Sequence, residues 1–159
     1  MSNFIATIPG PVTDTYDSEV IQLGELYAES GKIYRFVKFV DEDSAVNKFA
    51  VRASDTAWEV TIDYSDGSAI GGDGLHIGVG MTLATVDISE KPYGWVQCSG
   101  DTEFLAGSVA IVAGDFLIPD DGTNGALEEG DGTAGDTYAQ ALETVADTKT
   151  GTCTLRNCL

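Results

Sequence analysis

Histidine occurs once in this 159-residue chain, at His76. A catalytic histidine pair, a three-histidine zinc site and the HExxH motif are therefore excluded. Cysteine stops at three, Cys98, Cys153 and Cys158, with no CxxC pair among them. An odd count allows one disulfide at most, and Cys153 with Cys158 would close only a short loop. The expectation is three thiols in a protein assembled inside a cell. Basic residues are scarce: 8 Lys and Arg stand against 26 Asp and Glu, a net charge of −18. Such a chain repels polyanions, so nucleic acid and anionic membranes are excluded as partners. No apolar run approaches the ~18 residues of a membrane span. The opening Met1–Ala6 lacks the basic region of a signal peptide, so synthesis in the cytoplasm is expected.

What is present points to β structure. Hydrophobic residues make up 43% of the chain, and 19 Gly against 4 Pro imply many tight turns. The length suits one domain, and folded-surface scaling gives roughly 7,600 Å² exposed against about 24,000 Å² extended. Residues 1–20 read as an extended N-terminal arm, broken by Pro9-Gly10-Pro11 and tipped by Phe4, Ile5 and Ile8. Residues 21–159 form the body. Ala57 to Tyr64 alternates, with Trp58, Val60, Ile62 and Tyr64 on one face. Leu75 to Leu83 does the same, and Gly78 and Gly80 on its opposite face leave room for another backbone or a ring. Lys32 to Val40, Tyr93 to Cys98, Glu103 to Val112 and Gly151 to Leu155 are further strands, separated by turn signals such as Ser99-Gly100-Asp101. A helical turn is expected around Ser44 to Ala50. Tyr138, Leu142 and Val145 fit a helix, whereas Ala139 and Ala141 fit a thin strand. The expected fold is mainly β, a small antiparallel β-sandwich or β-barrel-like domain. Its core should contain Trp58, Val60, Ile62, Ile77, Val79, Met81, Leu83 and Val96.

Charge is segregated. Five of the eight basic residues fall between Lys32 and Arg52, whereas Pro92 to Thr148 holds eleven acids and no Lys or Arg. This half faces open solvent, cations or a basic partner. Asp120, Asn124 and Asp131 partly match a calcium loop, but Gly122 occupies a ligand position and no Glu stands at the twelfth. A solvated acidic turn explains the same residues. His76 has no sequence-near nucleophile or acid to complete a mechanism, and is read as a strand-surface residue. Carboxylate pairs abound in so acidic a chain and carry no signal. Trp58, Tyr93 and Trp95 could stack on sugars, though aromatics at period two normally belong to a core or interface. No enzymatic site and no cofactor are expected.

One further pattern runs along most of the chain. Gly31-Lys32-Ile33-Tyr34-Arg35-Phe36-Val37 is followed by His76-Ile77-Gly78-Val79-Gly80 and by Tyr93-Gly94-Trp95-Val96-Gln97 with Ser99-Gly100. Then come Ala113-Gly114-Asp115-Phe116-Leu117, Asp121-Gly122 and Tyr138-Ala139-Gln140-Ala141-Leu142-Glu143. Over residues 24–156 this order resembles the capsid decoration, or head cement, proteins of tailed bacteriophages. The long acidic loop and the Cys153/Cys158 ending depart from that pattern. The resemblance implies a structural virion protein on the outer capsid surface, a homotrimer that staples neighbouring major capsid protein subunits. Phe4, Ile5 and Ile8 of the arm, with Tyr93 and Trp95, are the candidate interface residues. A tail or fibre domain is the first alternative, and an acidic glycan-binding or glycan-hydrolysing protein the second.

Overall fold

The computed structural model describes residues 4–5, 7–54, 56, 58–64, 77–130, 137–156 and 158. Among these the chain forms eleven strands and no helix. The five that matter first are β3 (Lys32–Phe39), β4 (Phe49–Arg52), β5 (Glu59–Thr61), β6 (Gly78–Thr82) and β7 (Tyr93–Leu105). They hydrogen-bond in the order β3-β5-β4-β6-β7, and β7 returns to β3, which closes a five-stranded barrel. The barrel is mixed rather than wholly antiparallel, because β3 and β5 run parallel. On its flank β2 (Leu26–Glu29) extends β3, and β1 (Phe4–Ile5) lies parallel to β2.

A second sheet grows from the far end of the same strand. There β7 pairs with β11 (Thr150–Leu155), followed by β10 (Ala139–Ala141), β8 (Phe116–Pro119) and β9 (Leu127–Glu129). A parallel bridge from Leu127 to Ala106 brings the outer edge back beside the end of β7. The expected turn at Ser99-Gly100-Asp101 is thus a bend inside a 13-residue strand. Gly100 takes a φ of 90°, and the buried Gln97 side chain donates to the carbonyls of Ser99 and Asp101 at 3.1 and 3.0 Å. These bonds tie the two residues that flank the bend, Ser99 paired with Ile33 and Asp101 with Thr154, so the strand changes partners without breaking.

One continuous core spans both sheets, from Val37, Phe49 and Val60 to Leu117, Leu127 and Leu155. The total accessible surface is 7461 Å², close to that expected for a compact chain of this mass. Of the expected core, Val60, Ile62, Val79, Met81 and Val96 are buried there. Ile77 is not: it precedes β6 and is 41% exposed. Leu83 packs on a separate aromatic cluster, since it lies just past the strand end. Trp58 sits before β5 at a φ of 65° and is only partly buried, with the Arg35 guanidinium 3.7 Å from its ring centre.

The structure also corrects several expected elements. Residues 106–112 are not strand; only Ala106 and Ile111 make isolated bridges. Where a helical turn was expected, Ser44 bridges Val86 and Phe49 opens β4. Ala139–Ala141 forms the thin strand rather than a helix. Leu75 and His76 lie outside the described residues.

Both glycines of β6 meet what their smallness admits. A Cβ on Gly78 would lie 2.5 Å from the Tyr138 ring, and one on Gly80 would lie 2.4 Å from the Gln97 carbonyl oxygen. At Gly80 the obstacle is backbone and φ is 156°. Gly80→Ala should therefore destabilise the fold by about 1–3 kcal/mol or more, read as a lowered melting temperature.

The three cysteines are free and buried. Burial pushes the Cys98 thiol up to about 11, against the Arg35 charge that favours its thiolate, and the Cys153 thiol up to about 12. The folded chain keeps these thiols protonated where the unfolded chain ionises them near 9.0. Their contribution to stability is complete below that pH and fades as pH rises toward 11–12. Denaturant titrations across this window should show stability falling with pH, and less steeply in Cys98→Ala.

Candidate attachment surface

Alternation along β3 sends Val37 and Phe39 into the main core and Tyr34 and Phe36 to the other side. The neighbouring strands add Tyr27, opposite Tyr34, and Trp95, opposite Phe36. The result is an aromatic face. Phe36 and Trp95 meet edge-on at 5.2 Å between ring centres, and Phe36 stacks with Tyr93 at 6.3 Å. Tyr27 spans Tyr34 at 6.3 Å and Trp95 at 6.2 Å. Such pairs each add about 0.5–1.5 kcal/mol beyond the area they bury.

The N-terminal segment lies across this face. Ile5, Ile8, Val12, Tyr16, Ile21 and Leu23 all pack on Tyr34, Phe36 and Trp95. Its backbone is tied at two places. Phe4 and Ile5 pair with Leu26 and Tyr27, and Tyr16 and Tyr93 exchange bonds of 2.8 and 3.1 Å. Burial is the main reason the Tyr16 and Tyr34 phenols are held above their ordinary pKa.

The candidate interface residues therefore differ in what they offer a partner. Phe4 is 55% exposed at the tip of the segment. Ile5 and Ile8 turn onto the chain's own aromatic face, Tyr93 is half-buried there, and Trp95 is 2% exposed. Sequence reasoning did not assign Tyr16, Tyr27, Tyr34 or Phe36 to this face. The alternation of Tyr34 and Phe36 with Arg35 and Val37 was the available signal. Trp58 belongs to the other cluster, so it shares no platform with Trp95 for stacking on sugars.

The calcium-loop candidates are engaged with the chain itself. Asp120 is 3% exposed, and its two carboxylate oxygens accept the backbone N–H groups of Gly122 and Ser108 at 2.8 and 3.1 Å. Gly107 makes this possible, because a Cβ there would fall 1.9 Å from the carboxylate. The Asn124 side chain donates to Glu42 at 2.6 Å, and the Asn124 backbone carbonyl accepts from Lys48 Nζ at 2.8 Å. Burial lowers the Lys48 pKa. Asp131 lies outside the described residues, among which no three His, Cys, Asp or Glu groups are placed to hold a metal ion. Glu128 is held above the usual carboxylate range, first by burial and then by Asp120 and Asp121.

No protein-family model matches the chain, and no curated protein matches it in sequence. Among solved structures it is similar in fold to the head fiber gp8.5 N base of bacteriophage phi29. The TM-score is 0.52 at 15% identity, over 79% of this chain and 95% of that one.

Removing the Asp120 carboxylate leaves two backbone N–H groups without their acceptor. Asp120→Ala should cost about 1–3 kcal/mol in chemical denaturation, and added calcium should not restore it.

Proposed function

We propose that this chain is a structural virion protein that attaches to the outside of an assembled phage head, and that it is not an enzyme. The observation that carries this reading is the fold shared with a phage head fiber base across nearly the whole of that base. The chain's own chemistry agrees: the Asp120 carboxylate is committed to two backbone N–H groups, and the aromatic face to packing. In the finer form of the proposal, the chain assembles as a homotrimer and staples neighbouring major capsid subunits at the virion's outer surface. A trimer triples a net charge of −18. Its contacts must then rest on apolar surface, with charge left in solvent or set against basic capsid residues within a Debye length of about 8 Å.

A second reading is favoured by the same likeness. The similar structure is the base of a fiber, so the chain is alternatively the foot on which a projecting fibre stands. Both readings place it on the head surface.

The N-terminal segment is the proposed anchor, with Phe4 as its free apolar group. Deleting residues 1–10 removes Ile5 and Ile8 from the aromatic face as well, and so should lower the melting temperature. Phe4→Asp separates the two effects. It should leave the melting temperature unchanged and reduce co-sedimentation with head shells lacking the protein, by up to about tenfold for a contact worth 1.4 kcal/mol. Full occupancy by Phe4→Asp would remove the anchor from the proposal. No binding by the unaltered chain would remove head attachment itself.

A further inference from the structure

Lys48, Asn124 and Glu42 bring an amine, a carboxamide and a carboxylate together from three separate stretches of chain. Lys48 stands immediately before β4, Glu42 follows β3, and Asn124 lies between β8 and β9. Their setting is held by backbone bonds. The Lys48 N–H donates to Thr82 Oγ1 at 2.9 Å, and the Lys48 carbonyl accepts from the Thr82 N–H at 2.9 Å. Gly125, next to Asn124, donates to the Ile62 carbonyl at 2.8 Å and accepts from the Phe49 N–H at 2.8 Å. The lysine stem runs along this glycine: a Cβ on Gly125 would meet Lys48 Cδ at 2.6 Å and Cβ at 2.7 Å. The stem delivers its amine to Asn124, where Nζ donates to the backbone carbonyl at 2.8 Å. Glu42 Oε2 accepts from Asn124 Nδ2 at 2.6 Å. All three residues are half-buried.

A lysine is a nucleophile only when deprotonated, and desolvation favours that form. Burial lowers the Lys48 pKa, although the Glu42 charge opposes it. Asn124 Cγ is three bonds from the carbonyl carbon whose oxygen Nζ already holds, within the sweep of the last lysine torsions. We propose that Lys48 Nζ attacks Asn124 Cγ in the folded chain and forms an intramolecular isopeptide bond, with ammonia as the leaving group. The Nζ–Cγ bond forms, the Cγ–Nδ2 bond breaks, and nothing is oxidised or reduced. Once Nζ is attached, both nitrogens share one carbon, so the carboxylate that holds Nδ2 reaches each of them. Glu42 takes a proton from Nζ, passes it to Nδ2 and ends as it began. Fixing amine and amide side by side gives the reaction an effective molarity that reaches about 10⁵–10⁸ M when the alignment is good. The competing reaction of an Asn-Gly pair is closure by the glycine nitrogen, and here the Gly125 N–H is committed to Ile62. The bond joins residues 76 apart in sequence. It ties the start of a barrel strand to the second sheet, in a chain whose three cysteines are free.

The bond does not depend on head attachment, and the unaltered full chain is enough to test it. Its intact mass after denaturation should fall short of the sequence mass by one ammonia. Trypsin should fail to cut after Lys48 and should release a branched peptide in which Lys48 is joined to Asn124. Lys48→Arg should keep the full mass. Glu42→Gln retains an acceptor for Asn124 Nδ2 but cannot carry the proton, and should link about a hundredfold or more slowly. A full mass for the unaltered chain, shown folded by circular dichroism, would overturn the bond. Loss of ammonia with normal cleavage after Lys48, or persisting in Lys48→Arg, overturns it too, because that pattern marks ring closure at Asn124-Gly125. Linkage of Glu42→Gln at the unaltered rate would overturn the proton transfer assigned to the carboxylate.

Discussion

A single buried amide allows one strand to serve two sheets. Gln97 is 1% exposed, and its side-chain nitrogen donates to carbonyls on either side of Gly100. Without those bonds a buried amide would lose its acceptors beside a close-packed core. With them, Tyr93 to Ser99 closes the barrel against β3, and Gly100 to Leu105 opens the second sheet against β11. The Gln97 carbonyl also lies against Gly80, so β6 can approach only where no side chain intervenes. Barrel closure and sheet continuity meet in this short stretch.

The parts of the fold legible in the sequence were those where one face is buried and the other is not. Alternation identified Val60, Ile62, Val79, Met81 and Val96 as core, and the glycines of β6 as sites of close approach. The same rule failed at strand ends. Ile77 and Leu83 continue the pattern on paper, but the strand stops at Gly78 and Thr82, so neither joins the main core. Ser99-Gly100-Asp101 has the composition of a turn, and only the tertiary position of Gln97 makes it a bend within a strand. Short strands such as Leu26–Glu29 and Leu127–Glu129 carry too few residues for any period to register.

The candidate site was legible in kind more than in place. An apolar arm tip and period-two aromatics were visible, and both are present. That the arm folds back over those aromatics depends on long-range packing, which spacing does not encode. Asp120 shows the converse. Its Asp-Asp-Gly setting suggests hydration, yet Gly107, thirteen positions earlier, opens the space that buries it.

The shared strand also has a consequence for biosynthesis. During synthesis β3 and β6 emerge with unpaired edges, and both must stay open until Tyr93 to Ser99 has left the ribosome. More than half the chain is made before the barrel has its closing strand, and β11 arrives last of all. Nascent chains in that interval expose strand edges that can template aggregation. The high density of negative charge, which keeps neighbouring copies apart, is a physical safeguard during that wait.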